Sequence, residues 1–193
     1  TPDWQNPGNS TLDSINQFMV DPTFPFLKAK NAPQPGNFHD VETVIFYLMY
    51  PLHYRNFGAH ESMMSCHTLY DGEVHYLRWY EFRKDAGDWY IYQAGNYSPD
   101  TSSRYMPSIS MNGYGDIAMG YTKSDLQNNP SIWLTGRKAG DSLGIMTFEE
   151  VKLYKGLNYV NNYYSGNGRN RWGDYASMMV DPVNDSACNS III

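Results

Sequence analysis

Arginine, tyrosine and carboxylate side chains are the residues of this sequence that could act on a ligand. Guanidinium groups bind a sugar carboxylate through paired hydrogen bonds, and a tyrosine beside a glutamate, with an aspartic acid nearby, could break a glycosidic bond. The same side chains also pair with one another in loops, and 17 tyrosines make contact between some Tyr and some Glu unavoidable. Pairing is the favoured interpretation. The residues of these types are Arg78, Arg104, Arg137, Arg171, Tyr105, Tyr175, Glu61, Glu81 and Asp174.

A histidine followed directly by a carboxylate occurs at His60 and Glu61. In a polar loop this pair could transfer protons or ligate a metal. His53, His67 and His75 could complete a zinc site only if folding brought them together, because the sequence has neither an HExxH motif nor paired Cys/His spacing. Hydrogen-bonded histidines are the favoured interpretation.

Aspartates at Asp181 and Asp185 could bind Ca²⁺ through carboxylate and carbonyl oxygens. An Asx turn explains the same residues without an ion, and we favour it. No other cofactor is predicted. The two cysteines, Cys66 and Cys188, fit either one disulfide or two buried thiols.

Several functional classes are excluded by composition and motif. The net charge of −6 and the absence of a Lys/Arg block argue against nucleic-acid binding, which needs clustered cations. No apolar run approaches the ~20 residues of a membrane span. No nucleophile elbow or phosphate loop is present, and Gly166-Asn167-Gly168 lacks the strand and helix of a dinucleotide site. The chain begins at Thr1 rather than Met, which leaves room for a cleaved leader upstream.

Short strands must position these side chains. Aromatic residues make up 16% of the chain and charged residues 18%, and 16 Gly and 11 Pro punctuate it, which favours an all-β fold. Turn signals such as Asp71-Gly72 and Asn112-Gly113 indicate antiparallel hairpins. The pattern predicts strands at 15–20, 44–50, 62–68, 75–83, 89–94, 108–111, 116–121, 131–136 and 150–155.

A short sequence repeat suggests a radial arrangement of the sheets. Met19-Val20-Asp21-Pro22 recurs as Met179-Val180-Asp181-Pro182, and two segments between them also place small and apolar residues ahead of a turn. The spacing of roughly 40 to 65 residues is near that of propeller blades with loop insertions. A chance match of four residues is the alternative.

Several ordered stretches share a pattern of aromatic, arginine and turn residues. They are Tyr54-Arg55-Asn56-Phe57-Gly58 with His60-Glu61-Ser62, Arg78-Trp79-Tyr80-Glu81, Tyr92-Gln93-Ala94-Gly95-Asn96, Ser108-Ile109-Ser110-Met111-Asn112-Gly113 and Arg171-Trp172-Gly173-Asp174-Tyr175. In this order they resemble a family of secreted bacterial proteins, the BNR-repeat-like or sialidase-superfamily β-propellers, over residues 48–185. The Asp-boxes of sialidases, Ser-x-Asp-x-Gly-x-Thr-Trp, are absent.

The resemblance implies a β-propeller-type array of antiparallel sheets in an extracellular or cell-surface protein. The chain has material for about three to four blades, so it is expected to be a small propeller, a fragment, or part of an assembly completed by further blades or by self-association. We expect one domain over 1–193, with an irregular Pro/Asn-rich entry segment at 1–40, the blades at 41–187 and a tail at 188–193. The apolar end, Ile191-Ile192-Ile193, is typical of a segment that needs a strand partner.

Binding or scaffolding is the favoured function, because flat aromatic rings stack on sugars and loop arginines bond hydroxyls or proteins. A sialidase-like glycoside hydrolase is the alternative, and a structural subunit of a surface assembly is the third hypothesis. Candidate ligand-binding residues are Arg55, His60, Glu61, Arg78, Arg104, Tyr105, Arg171, Trp172 and Asp174.

Overall fold

The computed structural model describes residues 5, 6, 8, 30–36, 39–45, 47–49, 51–161 and 169–185, together with the backbone of Cys188–Ser190. Every regular element of this part of the chain is a β-strand, which confirms the all-β prediction. It contains no helix with the length and hydrophobicity needed to cross a membrane. The predicted strand at 15–20, the first copy of the repeat and residues 191–193 lie outside the described residues.

The first sheet contains four antiparallel strands in chain order. They are β1 (His53–Asn56), β2 (Glu61–Tyr70), β3 (His75–Lys84) and β4 (Tyr90–Tyr97). Asp71 shapes the hairpin between β2 and β3, because its Oδ1 accepts the N–H groups of Glu73 and Val74, both at 2.8 Å. Gly72 completes the turn with a φ of 109°. The hairpin predicted at this position is confirmed.

The second sheet repeats this four-stranded antiparallel arrangement. Its strands are β5 (Ser103–Met111), β6 (Ile117–Ser124), β7 (Ser131–Arg137) and β8 (Val151–Tyr154). Asn112 closes the turn between β5 and β6, since its Oδ1 accepts the N–H of Tyr114 at 3.0 Å and of Asp116 at 2.9 Å. The hairpin predicted from Asn112-Gly113 is therefore also confirmed.

Strand β5 begins five residues earlier than the predicted strand at 108–111. Pro107 lacks an N–H group for the ladder, and the pairing with β6 shifts register between Tyr105 and Ser108. Met106 accommodates the shift with a φ of 51°. A bulge thus allows a strand to continue through a proline.

The strand predicted at 44–50 is wrong for the residues described there. None of 44, 45 and 47–49 lies in a strand, and Val44 has a φ of 47°. Ile45 and Met49 are buried, whereas Tyr47 and Leu48 are exposed by 69% and 60%. The apolar run therefore supplies core side chains from an irregular segment instead of forming a ladder.

The core lies between the first and second sheets, where β5 packs over β2 and β3. Alternate residues of each strand point into this layer, as the two-residue period of a strand requires. Burial of each large apolar side chain stabilises the fold by about 1.5–3 kcal/mol. The core side chains include Met64, Cys66, Leu77, Trp79, Tyr105, Ile109, Met111 and Met119.

A third sheet, of strands β9 (Met178–Val180) and β10 (Cys188–Ser190), lies on the opposite face of the second sheet. Ile109 faces the core, so its neighbour Ser108 points away from it, and the Ser108 Oγ accepts the N–H of Met178 at 2.8 Å. The predicted tail at 188–193 thus contributes β10. Among the described residues the sheets form no closed barrel or propeller, so the propeller arrangement stays a prediction.

Candidate functional site

A cleft of about 180 Å³ lies where β1, the end of β5 and β9 approach one another. It is smaller than the ~300 Å³ or more of pockets for drug-sized ligands, so it has room for one small group. Apolar methionines and polar side chains share its wall. The lining residues are His53, Tyr54, Arg55, Ser62, Met64, Met111, Met179 and Val180.

His53 anchors β1 to β9 at the wall of this cleft. Its Nε2–H donates to the carbonyl oxygen of Met178 at 2.6 Å. Burial lowers the pKa of His53 below its usual value, so the ring is neutral at pH 7. The cleft wall is therefore fixed by a hydrogen bond between residues distant in sequence.

Arg55 and Asp185 form a paired ionic contact at the cleft. The Arg55 Nη1 and Nη2 donate to the Asp185 Oδ2 and Oδ1 at 2.6 and 2.7 Å. The hydrogen bonds from Arg55 lower the pKa of the Asp185 carboxyl. Gly113 lies against the pair, and a Cβ there would be 2.3 Å from the Asp185 Oδ2. The β5–β6 turn thus approaches this pair so closely that a side chain at Gly113 would displace the Asp185 carboxylate.

Tyr54 also borders the cleft, but as the neighbour of Arg55 in β1 it points its side chain to the other face of the strand. The side chain is 55% exposed, and its ring meets Trp89 edge-on with centroids 6.5 Å apart. The phenol O–H donates to the Glu61 Oε2 at 2.7 Å. The polar groups of the cleft itself are therefore those of His53, Arg55 and Ser62.

His60 lies in the loop between β1 and β2, and its ring stacks on Phe57 with centroids 4.8 Å apart. Within the described residues, no group hydrogen-bonds to its buried Nε2. The structure therefore gives His60 a packing contact, and it does not join His60 and Glu61 in an acid–base pair.

Arg78 lies in the middle of β3, away from the cleft. Its Nη1 donates to the Asn96 Oδ1 at 3.1 Å, and its guanidinium lies 5.2 Å from the centre of the Tyr80 ring. Arg78 thus links β3 to β4 on the first sheet.

Arg104 and Tyr105 are fully buried in β5. Arg104 forms ion pairs with Asp100 and Glu150, both at 2.9 Å, and the Tyr105 hydroxyl hydrogen-bonds with the Ser124 Oγ at 3.0 Å. Neither side chain is available to a ligand at the surface.

Two residues that the sequence analysis did not select complete the cluster around Arg104. Lys123 pairs with both carboxylates, and the Tyr121 O–H donates to the Glu150 Oε2 at 2.7 Å. Burial and the neighbouring carboxylate of Glu150 raise the pKa of Tyr121, which opposes its use as a nucleophile. The strand period places Tyr121 and Lys123 on one face of β6. Glu150, the first residue of the predicted strand at 150–155, instead lies just before β8 and reaches them from there.

A second buried network contains Glu81 and Arg137. Glu81 is fully buried and accepts hydrogen bonds from the Arg83 Nε and the Gln93 Nε2, both at 2.5 Å. The Gln93 Oε1 in turn accepts from Arg137 of β7. The network joins the two large sheets. Its charged side chains bond to other groups of the protein and do not face a ligand site.

Arg171, Trp172 and Asp174 hold the segment before β9 in place. Arg171 pairs with Asp174 and lies 3.6 Å from Glu42, and the Trp172 Nε1–H donates to the Thr122 Oγ1 at 3.0 Å. Tyr175 is 65% exposed and, like these three residues, does not line the cleft.

The calcium candidates have protein partners. The Asp181 Oδ1 accepts the N–H of Val183 at 2.8 Å, as in an Asx turn, and Asp185 pairs with Arg55. The described residues include no group of three or more His, Cys, Asp or Glu side chains placed to bind a metal. Cys66 is a buried free thiol whose pKa is raised by burial, and the side chain of Cys188 lies outside the described residues.

Comparison of this chain with protein-family models, curated proteins and solved structures gives no match. The resemblance to sialidase-superfamily propellers therefore stays a prediction.

Proposed function

We propose that this chain is an extracellular or cell-surface module that binds carbohydrate in the cleft between β1, β5 and β9. One observation carries the proposal: Arg55 lines a cleft with room for one small group and is held there in a bidentate pair with Asp185. A sugar has hydroxyls for both charged partners and an apolar face for the methionine side chains of the cleft wall.

The arrangement of the sheets supports a propeller-type architecture for this module. The first and second sheets are four-stranded antiparallel meanders, as propeller blades are, and a third sheet follows. The first strand of each sheet lies near the first strand of the others: β5 contacts both β1 and β9, and His53 of β1 hydrogen-bonds to Met178 of β9. In a propeller, the first strands of the blades are expected to meet around the central axis, and ligand clefts open there.

The charges of the cleft favour a neutral sugar over an acidic one. Arg55 brings one positive charge, and Asp185 balances it. A ligand carboxylate would have to displace Asp185 from a bidentate pair. Neutral hydroxyls can accept from the guanidinium and donate to the carboxylate without breaking that pair.

A sialidase-like hydrolase is the second candidate, and the Tyr121–Glu150–Arg104 cluster is the observation behind it. These are residue types that such a reaction uses, but Arg104 is 0% exposed and pairs with two carboxylates. Because the cluster is electrically balanced and Tyr121 is held protonated, binding without cleavage is the better supported function.

The test is a glycan array followed by calorimetric titration with the best neutral glycan. We expect Arg55→Gln to weaken binding at least tenfold, since a hydrogen bond to a charged group contributes roughly 1.5–3 kcal/mol. Arg78→Gln is the matched control, because Arg78 lies in β3 and outside the cleft. Selective binding of sialylated glycans, or equal affinity of Arg55→Gln and the unmodified chain, would contradict the proposal.

A further inference from the structure

An apolar surface extends from the connection after β7 into β8. We define the β8 surface as the side chains of Phe148, Val151, Leu153 and Tyr154, each exposed by 45–60%. Taking ~150 Å² for each whole side chain, the exposed part is on the order of 300 Å². That reaches the ~300–600 Å² of the largest patch on a typical monomer, and such patches are often functional.

The edges of the two large sheets differ in their protection. At the β4 edge, the Gly144 N–H donates to the Gln93 Oε1 at 3.0 Å, and the Gly144 carbonyl oxygen would lie 2.0 Å from a Cβ on Gly95. The β4 edge is therefore covered by the chain itself. Strand β8 is the last strand of its sheet, and no described strand pairs with its outer side. An exposed apolar edge is a site of association with another chain.

The outer face of the second sheet is also covered only in part. The third sheet packs there over β5 and β6, as Met178 shows by its hydrogen bond to Ser108. Among the described residues, nothing continues this packing over β7 and β8, where Val151 stays 57% exposed. The β8 surface thus belongs to the same face of the second sheet on which the third sheet packs, in the part that the third sheet leaves uncovered.

The charges that flank β8 complement their own copy in an antiparallel arrangement. Glu149 precedes the strand and Lys155 follows it, and both are exposed. Lys152 does not place its charge at the outer edge of the strand, where it would oppose association, because its Nζ lies 4.7 Å from the centre of the Trp133 ring. A twofold axis beside the strand brings each Glu149 to the Lys155 of the other copy. A parallel approach would instead place like charges together.

We propose that a second copy of this chain docks on the β8 surface, with the two β8 strands side by side in opposite directions. The contact is made through side chains, since a register shift between Ile132 and Trp133 leaves a bulge in the edge strand.

The first test is sedimentation equilibrium of the 193-residue chain at micromolar concentrations. We expect a dimer, and we expect Leu153→Glu to raise its dissociation constant at least tenfold. Leu126→Glu is the matched control, because Leu126 is 65% exposed in the turn after β6. Circular dichroism checks that each variant is folded. A chain that stays monomeric at 100 μM, or a folded Leu153→Glu variant that dimerises as the unmodified chain does, overturns the proposal.

A charge exchange tests the antiparallel orientation. Glu149→Lys should weaken the dimer severalfold, because each Lys155 then faces a lysine. Combining it with Lys155→Glu should restore the original dissociation constant. If the double variant is no stronger than Glu149→Lys alone, the antiparallel arrangement is wrong.

Discussion

At the scale of single residues, two buried histidines make the stability of the protein depend on pH. The His75 Nε2–H donates to the Lys30 carbonyl at 2.6 Å, and its Nδ1 lies 3.1 Å from the Ser103 hydroxyl. Burial lowers the pKa of His75 to about 4, and burial followed by repulsion from Arg78 lowers the pKa of His67 to about 4. Both rings are therefore neutral in the folded protein at pH 7.

The sign of the pH effect follows from the lowered pKa. Between about pH 6.5 and 4 the unfolded chain binds protons that the folded chain does not, so stability falls as the pH falls through this window. We expect the free energy of unfolding by urea to decrease between pH 6.5 and 5. The decrease should be less steep in His75→Gln, because one of the three histidines whose pKa is lowered by burial is removed.

The range from pH 7 to 8 serves as the control for this prediction, since these histidines are neutral there in either state. An unchanged slope between pH 6.5 and 5 in His75→Gln would show that His75 does not cause the effect.

Gly113 leads to a second prediction at this scale. A methyl group there would collide with the Asp185 Oδ2 at 2.3 Å and touch the Arg55 Nη1 at 3.4 Å. We expect Gly113→Ala to lower the free energy of unfolding by about 1–2 kcal/mol, as overpacked sites do. Urea denaturation measures this change.

Gly140→Ala is the control for the same substitution, because nothing lies within 4 Å of a Cβ at Gly140. Its effect should be within about 0.5 kcal/mol, or slightly stabilising through the unfolded state. Equal effects of the two substitutions would contradict the close approach of Asp185 to Gly113.

At the scale of elements, the two large sheets are joined by a buried polar network as well as by the apolar core. Glu81 of β3 binds Gln93 of β4, which binds Arg137 of β7. We expect Glu81→Gln to lower the free energy of unfolding by about 3 kcal/mol, because it removes the counter-charge of Arg83, which pairs with Glu81, and of the buried Arg137, which is joined to Glu81 through Gln93. Chemical denaturation monitored by tryptophan fluorescence measures the change.

The control for this substitution is Glu73→Gln in the exposed turn between β2 and β3. A surface change of this kind should stay within about 0.5 kcal/mol. A loss below 1 kcal/mol in Glu81→Gln would mean that the network contributes little to the joining of the sheets.

The hairpins could be predicted from sequence, because turn chemistry is local. Asp71 and Asn112 accept hydrogen bonds from N–H groups only two to four residues ahead. The apolar run at 44–50 misled the prediction, because strand propensity does not reveal whether a segment has a neighbour to pair with. Strand β1 has only four residues, too few for a clear pattern.

The cleft could be predicted only in part. Arg55 was selected as a polar loop residue and does line the cleft, and Glu61 touches it through Tyr54. Arg104 was selected on the same grounds but is fully buried. Residue type alone does not separate the two arginines, since their exposure is decided by which distant carboxylates reach them.

At the scale of the whole molecule, the described residues form three sheets, and β5 of the second sheet contacts strands of both others. Among these residues the third sheet has two strands where the other two have four, so it covers less of its neighbour. The exposed β8 surface follows from this difference. A net charge of −6 keeps separate copies apart by mutual repulsion, so association has to come from a complementary contact.

The hydrogen bond between His53 and Met178 also sets an order of events during folding. It joins residues 125 positions apart, and the Arg55–Asp185 pair joins residues 130 apart, whereas the hairpins of the large sheets close over short turns. Contacts that close long loops form late, because the entropy of closure must be overcome first. We therefore expect the cleft to be among the last parts of the fold to form, together with other contacts of the same span such as that between His39 and Asn170.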